Sequence, residues 1–182
     1  MSRPIFITGN QSKADYIASV THIDVGHQKI DLDEIQSVDP REIVEHKVRQ
    51  AFGIVNAPVL VEDASLGFTA LDGLPGPFVK FFAGSKNGYE SMCRMLDSFT
   101  DRSATAVVTY GYYDGNQLMI TSGELKGYIV DSPKGEGGFG WDTIFSAEGD
   151  NGLTLAQLPD DERVERYRKM RNIDALIRML SN

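Results

Sequence analysis

The sequence predicts an α/β protein, and three observations carry that reading. Pro4-Ile5-Phe6-Ile7 is a short apolar run cut off by Thr8-Gly9-Asn10, and a helical pattern of apolar residues follows it. A second extended stretch, Gln28–Asp33, is followed by Asp39-Pro40-Arg41-Glu42, the signature of a capped helix start. A third apolar run, Ala57–Val61, comes next. Strands alternating with helices in this way bury their apolar faces by layering helices on a sheet. The 182 residues are expected to form a single domain, residues 1–182, with room for two lobes.

The totals exclude several classes of function. A net charge of −8 argues against a general binder of nucleic acid or anionic membrane, although a local group of lysines can still hold a small anion. No run reaches the length of a membrane span. Cys93 is the only cysteine, so neither an intramolecular disulfide nor a cysteine zinc cluster is possible. That composition fits a reducing compartment, and the chain's opening lacks the long apolar stretch of a signal peptide, so a cytoplasmic location is expected.

Taken in order, Thr8-Gly9-Asn10-Gln11-Ser12-Lys13 is a turn from strand into helix, with Ala14, Ile17, Ala18 and Val20 apolar after it. Such a turn directs backbone N–H groups and the positive helix end outward, and Asn10 and Lys13 add to an anion site. An ordinary turn with a solvated lysine is the plainer alternative. The strand at Gln28–Asp33 runs into Asp31, Asp33 and Glu34, either a solvated edge or a source of magnesium ligands. In the helix from Asp39, the apolar face is Ile43, Val44, Val48, Ala51 and Phe52, with Lys47 at its edge, where a lysine snorkels or meets a ligand. The third strand is expected to end at Glu62-Asp63, the position where α/β sheets bind ligands. Leu71–Pro77 is rich in turn residues, and Gly88–Phe99 reads as a helix with a Met and aromatic stripe for core or dimer contact. Three extended runs follow, Ala104–Tyr113, Gln117–Thr121 and Gly127–Val130, the first two joined by the Asp114-Gly115-Asn116 hairpin turn. The chain closes with one long charged helix after Pro159.

Gly135-Glu136-Gly137-Gly138-Phe139-Gly140-Trp141-Asp142 holds four glycines, two aromatic residues and two carboxylates. A backbone this free of side chains can approach a ligand closely, and Phe139 and Trp141 can present a ring face to a planar base. The same stretch fits G-x-G-x-x-G, but that fingerprint must open a helix, and Trp141–Phe145 reads as a short extended run instead.

Four stretches in this order resemble the inosine triphosphate pyrophosphatase family, and the resemblance spans nearly the whole chain. They are Thr8–Lys13; Asp33-Glu34-Ile35-Gln36; Val61-Glu62-Asp63 with Leu71–Pro77; and Gly138–Asp142 with Thr154-Leu155-Ala156. The resemblance implies hydrolysis of deaminated purine nucleoside triphosphates (ITP, dITP, XTP) to monophosphate and pyrophosphate. It implies Thr8, Asn10, Lys13 and Lys47 on the phosphates, Glu34 and Asp63 on Mg2+, and Asp63 also activating water. Phe139 would stack on the base, with Trp141 and Asp142 shaping its pocket. The implied fold is an elongated, two-lobed protein with a long mixed sheet flanked by helices and a ligand cleft, assembled as a homodimer. The departures are Ala64, where the family has Ser or Thr, and two late signatures. Glu162-Arg163-Val164 stands for Glu-Lys-Asn, and Tyr167-Arg168-Lys169 for Ser-His-Arg. The two late changes fall on the base side, where Arg163, Arg168 and Lys169 still offer only donors. Such donors suit the C6 carbonyl of hypoxanthine or xanthine and oppose the amine of adenine. The rival readings are a non-catalytic nucleotide-binding paralogue, which would lose the metal acids, and a pyrophosphatase with shifted base specificity.

Overall fold

The computed structural model describes residues 3–181. Seven strands form one mixed sheet: β1 (Ile5–Ile7), β2 (Gly26–Gln28), β3 (Val59–Phe68), β4 (Pro75–Gly76), β5 (Ser103–Tyr113), β6 (Leu118–Ile129) and β7 (Phe145–Ala147). The order is β2-β1-β3-β5-β6-β7, with β4 paired to β3. β1 lies parallel to both β2 and β3, whereas β4 on β3 and β7 on β6 are antiparallel. The helices are α1 (Gln11–Thr21), α2 (Pro40–Val55), α3 (Val79–Ala83), α4 (Gly88–Arg94), α5 (Asp160–Met170) and α6 (Ile173–Ser181).

The chain divides into two compact units. The first comprises the segment up to Asp63, Val108–Gly123 and the segment from Arg171 onward. Its core is Ile7, Val44, Val48, Ala51, Val59 and Val61, with Ile5, Ile30, Leu32 and Phe52 packed against it. Each Val or Ile side chain of this core, when fully buried, contributes roughly 1.5–3 kcal/mol of transfer free energy. Asp39 caps α2 by accepting the Arg41 N–H, with Pro40 in the first turn. Glu42 does not close the capping box directly. Its carboxylate accepts the Ser37 hydroxyl, whose oxygen in turn accepts the Asp39 N–H. The second unit comprises Ala64–Val107 and Glu124–Met170. Leu66, Phe68, Met92, Leu96, Leu125, Ile129, Phe145 and Leu155 are buried within it, as is Cys93.

Several expectations from the sequence need correction. The second strand is Gly26–Gln28, where β1 offers a parallel partner over three positions, and not Gln28–Asp33. Ile30 and Leu32 still pack inward, so the alternation recorded burial rather than strand pairing. β3 does not end at Glu62-Asp63 but continues to Phe68, because Leu66 and Gly67 pair with β4. The runs at Gln117 and Gly127 are one strand, with Gly123, Leu125 and Gly127 buried and Glu124 and Lys126 exposed between them. α4 stops at Arg94, short of Phe99. Trp141–Thr143 lies in a single 3-10 turn, Gly140–Thr143, and is not extended. The closing helix is two helices, broken at Asn172, whose φ is 45°.

Candidate active site

In the first unit, α1 opens at Asn10, whose side-chain oxygen accepts the Lys13 N–H at 3.4 Å. The turn is braced from behind: the Thr8 hydroxyl accepts the Asn10 N–H, and the Thr8 carbonyl accepts from His27 at 2.7 Å. No acidic residue stands in the first turn of α1, so the helix's positive end is not offset locally. Lys13 itself reaches Glu62, with Nζ 2.8 Å from Oε1.

Successive side chains on a strand point to opposite faces. Glu62 and Asp63 are neighbours on β3, and they meet different partners. Asp63 meets Lys47, whose Nζ lies 3.3 Å from Asp63 Oδ1, 3.5 Å from Glu34 Oε1 and 3.4 Å from the Glu62 carbonyl. Both carboxylates therefore converge on one ammonium. Glu34 reaches it from the irregular segment after β2, and Asp63 from within β3, so neither stands at a strand end as expected from the sequence. Asp63 Oδ2 is buried and accepts no hydrogen bond among the described residues. Burial raises the Asp63 carboxyl above its ordinary value, while the Lys47 ammonium opposes that rise. Magnesium takes hard oxygen ligands and commonly only one or two protein carboxylates. An uncommitted buried carboxylate oxygen beside a second carboxylate suits that ion. Among the described residues there is no cluster of three or more His, Cys, Asp or Glu side chains placed to hold a metal.

Glu62 is differently employed. Its side chain is 3% exposed and divides its oxygens between Lys13 and Arg171, whose Nη1 is 2.5 Å from Oε2. Arg171 also donates to the Tyr110 hydroxyl at 2.9 Å and lies over the Tyr16 ring at 5.3 Å. Burial would push the Glu62 carboxyl up, but Arg171 and Lys13 outweigh it and hold it down to about 2. Glu62 is thus held as an anion, both oxygens engaged by its partners, and unsuited to work as a base.

In the second unit, the glycine-rich stretch folds around Asp142. This carboxylate is buried and accepts the Phe139 N–H at 2.8 Å and the Tyr167 hydroxyl. Gly138, at φ 74°, has room for nothing larger, since a Cβ there would lie 2.1 Å from Asp142 Oδ2. Asp142 therefore organises the loop. Phe139 is left 52% exposed, its ring 5.2 Å from that of Tyr167, while Trp141 is half-buried. Arg163 donates to the Leu158 carbonyl at 2.9 Å and pairs with Asp160. Its guanidinium also closes over Gly137, where a Cβ would lie 2.6 Å from Nη1. Arg168 and Lys169 are exposed on α5.

The structure thus brings Lys47, Glu34 and Asp63 together in one cluster. It holds Thr8, Asn10 and Lys13 in one turn, and Phe139, Trp141, Asp142 and Arg163 around one loop. Arg168 and Lys169 join none of these. The sequence alone does not single out Tyr110, Tyr167 or, above all, Arg171, which falls within the long charged helix expected after Pro159. A signal was present in Asn172, since Asn is a residue that ends helices in the left-handed conformation.

A sequence profile of the Ham1 family matches residues 4–179. An inosine triphosphate pyrophosphatase of Emericella nidulans is 41% identical over 162 residues, covering 87% of this chain and 85% of that one. One from Scheffersomyces stipitis is 36% identical, covering 97% and 96%. The solved Ham1 protein of Staphylococcus aureus superposes with a TM-score of 0.84 at 25% identity, covering 99% of this chain and 98% of its own. A HAM1 protein from Coxiella burnetii, 23% identical with a TM-score of 0.83 over 100% and 99% of the two chains, shares the fold. With the family profile spanning nearly all of the chain, this protein belongs to the Ham1 family.

Proposed function

We propose that this protein is a magnesium-dependent pyrophosphatase of deaminated purine nucleoside triphosphates, converting ITP, dITP and XTP to the monophosphate and pyrophosphate. The observation that carries the reading is Asp63: a buried carboxylate with one uncommitted oxygen, sharing the Lys47 ammonium with Glu34. Relatives named inosine triphosphate pyrophosphatase, matching over most of both chains, support the substrate.

In this reading Glu34 and Asp63 hold Mg2+, which when bound neutralises charge developing on the phosphates. Asp63, its carboxyl raised by burial, orients and deprotonates the attacking water. Lys13, Lys47, Asn10, Thr8 and the N-terminal N–H groups of α1 bind the triphosphate, and the two lysines stabilise pyrophosphate as it leaves. The exposed ring of Phe139 stacks on the base, Asp142 holds that loop in shape, and Trp141 borders it. Arg163 closes over the loop at Gly137, and its carbonyl and carboxylate partners leave fewer donors for a substrate. A homodimer rests on the resemblance and a cytoplasmic location on the sequence alone; no described helix is long and apolar enough to cross a membrane.

The test is a panel of ITP, XTP, GTP and ATP with Mg2+, scored for pyrophosphate against orthophosphate, on the parent and Asp63→Asn. Pyrophosphate release favouring ITP and XTP, lowered by orders of magnitude in Asp63→Asn, is expected. Orthophosphate release or an unaffected Asp63→Asn would refute the reaction. Equal kcat/KM for ATP and ITP would refute the donor-lined pocket.

A further inference from the structure

We propose that Glu62 is a positioning residue for triphosphate turnover: a buried anion, anchored by Arg171 and Tyr110, that fixes the Lys13 ammonium on the phosphate turn. The proposal rests on the reading of Lys13 as a phosphate ligand.

The sharing of Glu62 is the first reason. One carboxylate serves two cations, Lys13 on Oε1 and Arg171 on Oε2. Glu62 therefore holds Lys13 through one oxygen only, which leaves the rest of that ammonium able to meet a phosphate. The second reason is the difference between the two cations. Arg171 is 4% exposed, bound on a second side by the Tyr110 hydroxyl and stacked on Tyr16. It is the fixed member. Lys13 is 30% exposed, and Glu62 takes one of the three donors of its ammonium. It is the member presented outward. The third reason is chain placement. Lys13 sits in the first turn of α1, and Arg171 is delivered by the break between α5 and α6, while Glu62 lies in rigid β3. A flexible lysine is thereby referenced to the strand that also carries Asp63. Such alignment matters most in the transition state, where misplacement of a binding group by about 1 Å can cost on the order of a hundredfold.

Glu62→Gln keeps the shape and removes the charge, and a positioning role and a purely electrostatic one predict opposite results. Removing an anion from an anion site would, on electrostatics alone, leave turnover unchanged or faster and tighten KM. Loss of positioning lowers kcat by about tenfold or more, with KM changed less than kcat. The experiment is a cycle of Glu62→Gln, Lys13→Met and the double variant, with kcat and KM for ITP measured in each. The expected result is a double variant no slower than Lys13→Met alone, since both changes remove the same aligned ammonium. Should Glu62→Gln fold poorly with Arg171 stranded, the cycle is run in an Arg171→Met background, where Glu62→Gln leaves no unpaired buried cation. A Glu62→Gln enzyme as fast as the parent, or losses that multiply in the double variant, would overturn the proposal. Parental kinetics in Lys13→Met would instead refute the phosphate role of Lys13, on which this and the functional reading both depend.

Discussion

Lys47→Met should tighten the binding of a divalent cation to the free protein while slowing turnover. In the structure the Lys47 ammonium occupies the point on which the two acids converge, 3.3 Å from Asp63 and 3.5 Å from Glu34. At those separations and an effective dielectric of about 20, each attraction is on the order of 5 kcal/mol before desolvation. The Lys47 and Asp63 side chains are each 13% exposed and Glu34 is 38% exposed, so the Glu34 pair is weakened by solvent screening. Desolvation and ordering of the long side chain offset most of the remainder, leaving a net of about 2 kcal/mol. An ion entering between the carboxylates must displace that ammonium, so its removal should strengthen binding by roughly thirtyfold. Methionine keeps an apolar stem of similar length and removes the charge. The assay is titration with Mn2+, followed by electron paramagnetic resonance of the free ion, on the parent, Lys47→Met, and Lys47→Met combined with Asp63→Asn. Tighter binding in Lys47→Met that disappears with Asp63→Asn is expected. Binding no tighter than in the parent would refute the idea that lysine and metal compete for one place. Tight binding that survives Asp63→Asn would refute the assignment of the metal to Asp63. Slower turnover alongside tighter metal binding would also separate Lys47 from a lysine that merely snorkels at a helix edge.

Two further outcomes follow from the buried carboxylates. Glu62 is held down from 4.5 to about 2, so the folded state binds its proton less readily than the unfolded chain does. Its contribution is present above about pH 4.5 and is lost as the pH falls toward 2, and it amounts to about 3 kcal/mol. Melting temperature measured across that window should fall more steeply in the parent than in Glu62→Gln; parallel profiles would contradict the depressed value. Tyr167→Phe removes the hydroxyl that Asp142 accepts, at about 1–3 kcal/mol for a buried partner left short of a donor. It should lower the melting temperature and raise KM for ITP through a loosened Phe139 loop, with kcat little changed. An unaltered KM would separate that loop from the base.

The sequence by itself determined the local chemistry of the chain. The Thr8–Lys13 turn, the Asp39 cap with Pro40, the apolar face of α2 and the Asp114-Gly115-Asn116 hairpin all rest on interactions a few residues long. The structure has each of them in place. The dense run of glycines suggested close approach to a ligand, whereas the close approach seen at Gly138 is to the loop's own Asp142. The tertiary structure decided what long-range pairing decides. Glu62 and Asp63 read as two equivalent acids at a strand end. Only the continuation of β3 onto β4 set them mid-strand, with Glu62 locked between Lys13 and Arg171 and Asp63 on Lys47 with one buried oxygen uncommitted. In the sequence Arg171 is one more charge in the closing charged helix. Its burial depends on partners 61 and 109 residues away, Tyr110 and Glu62, which no local pattern reports. The same holds for Asp142, which looked like a pocket wall and is the loop's internal anchor through Tyr167. A charged side chain is stable inside a protein only where distant partners compensate it, so its role follows from the fold that assembles those partners.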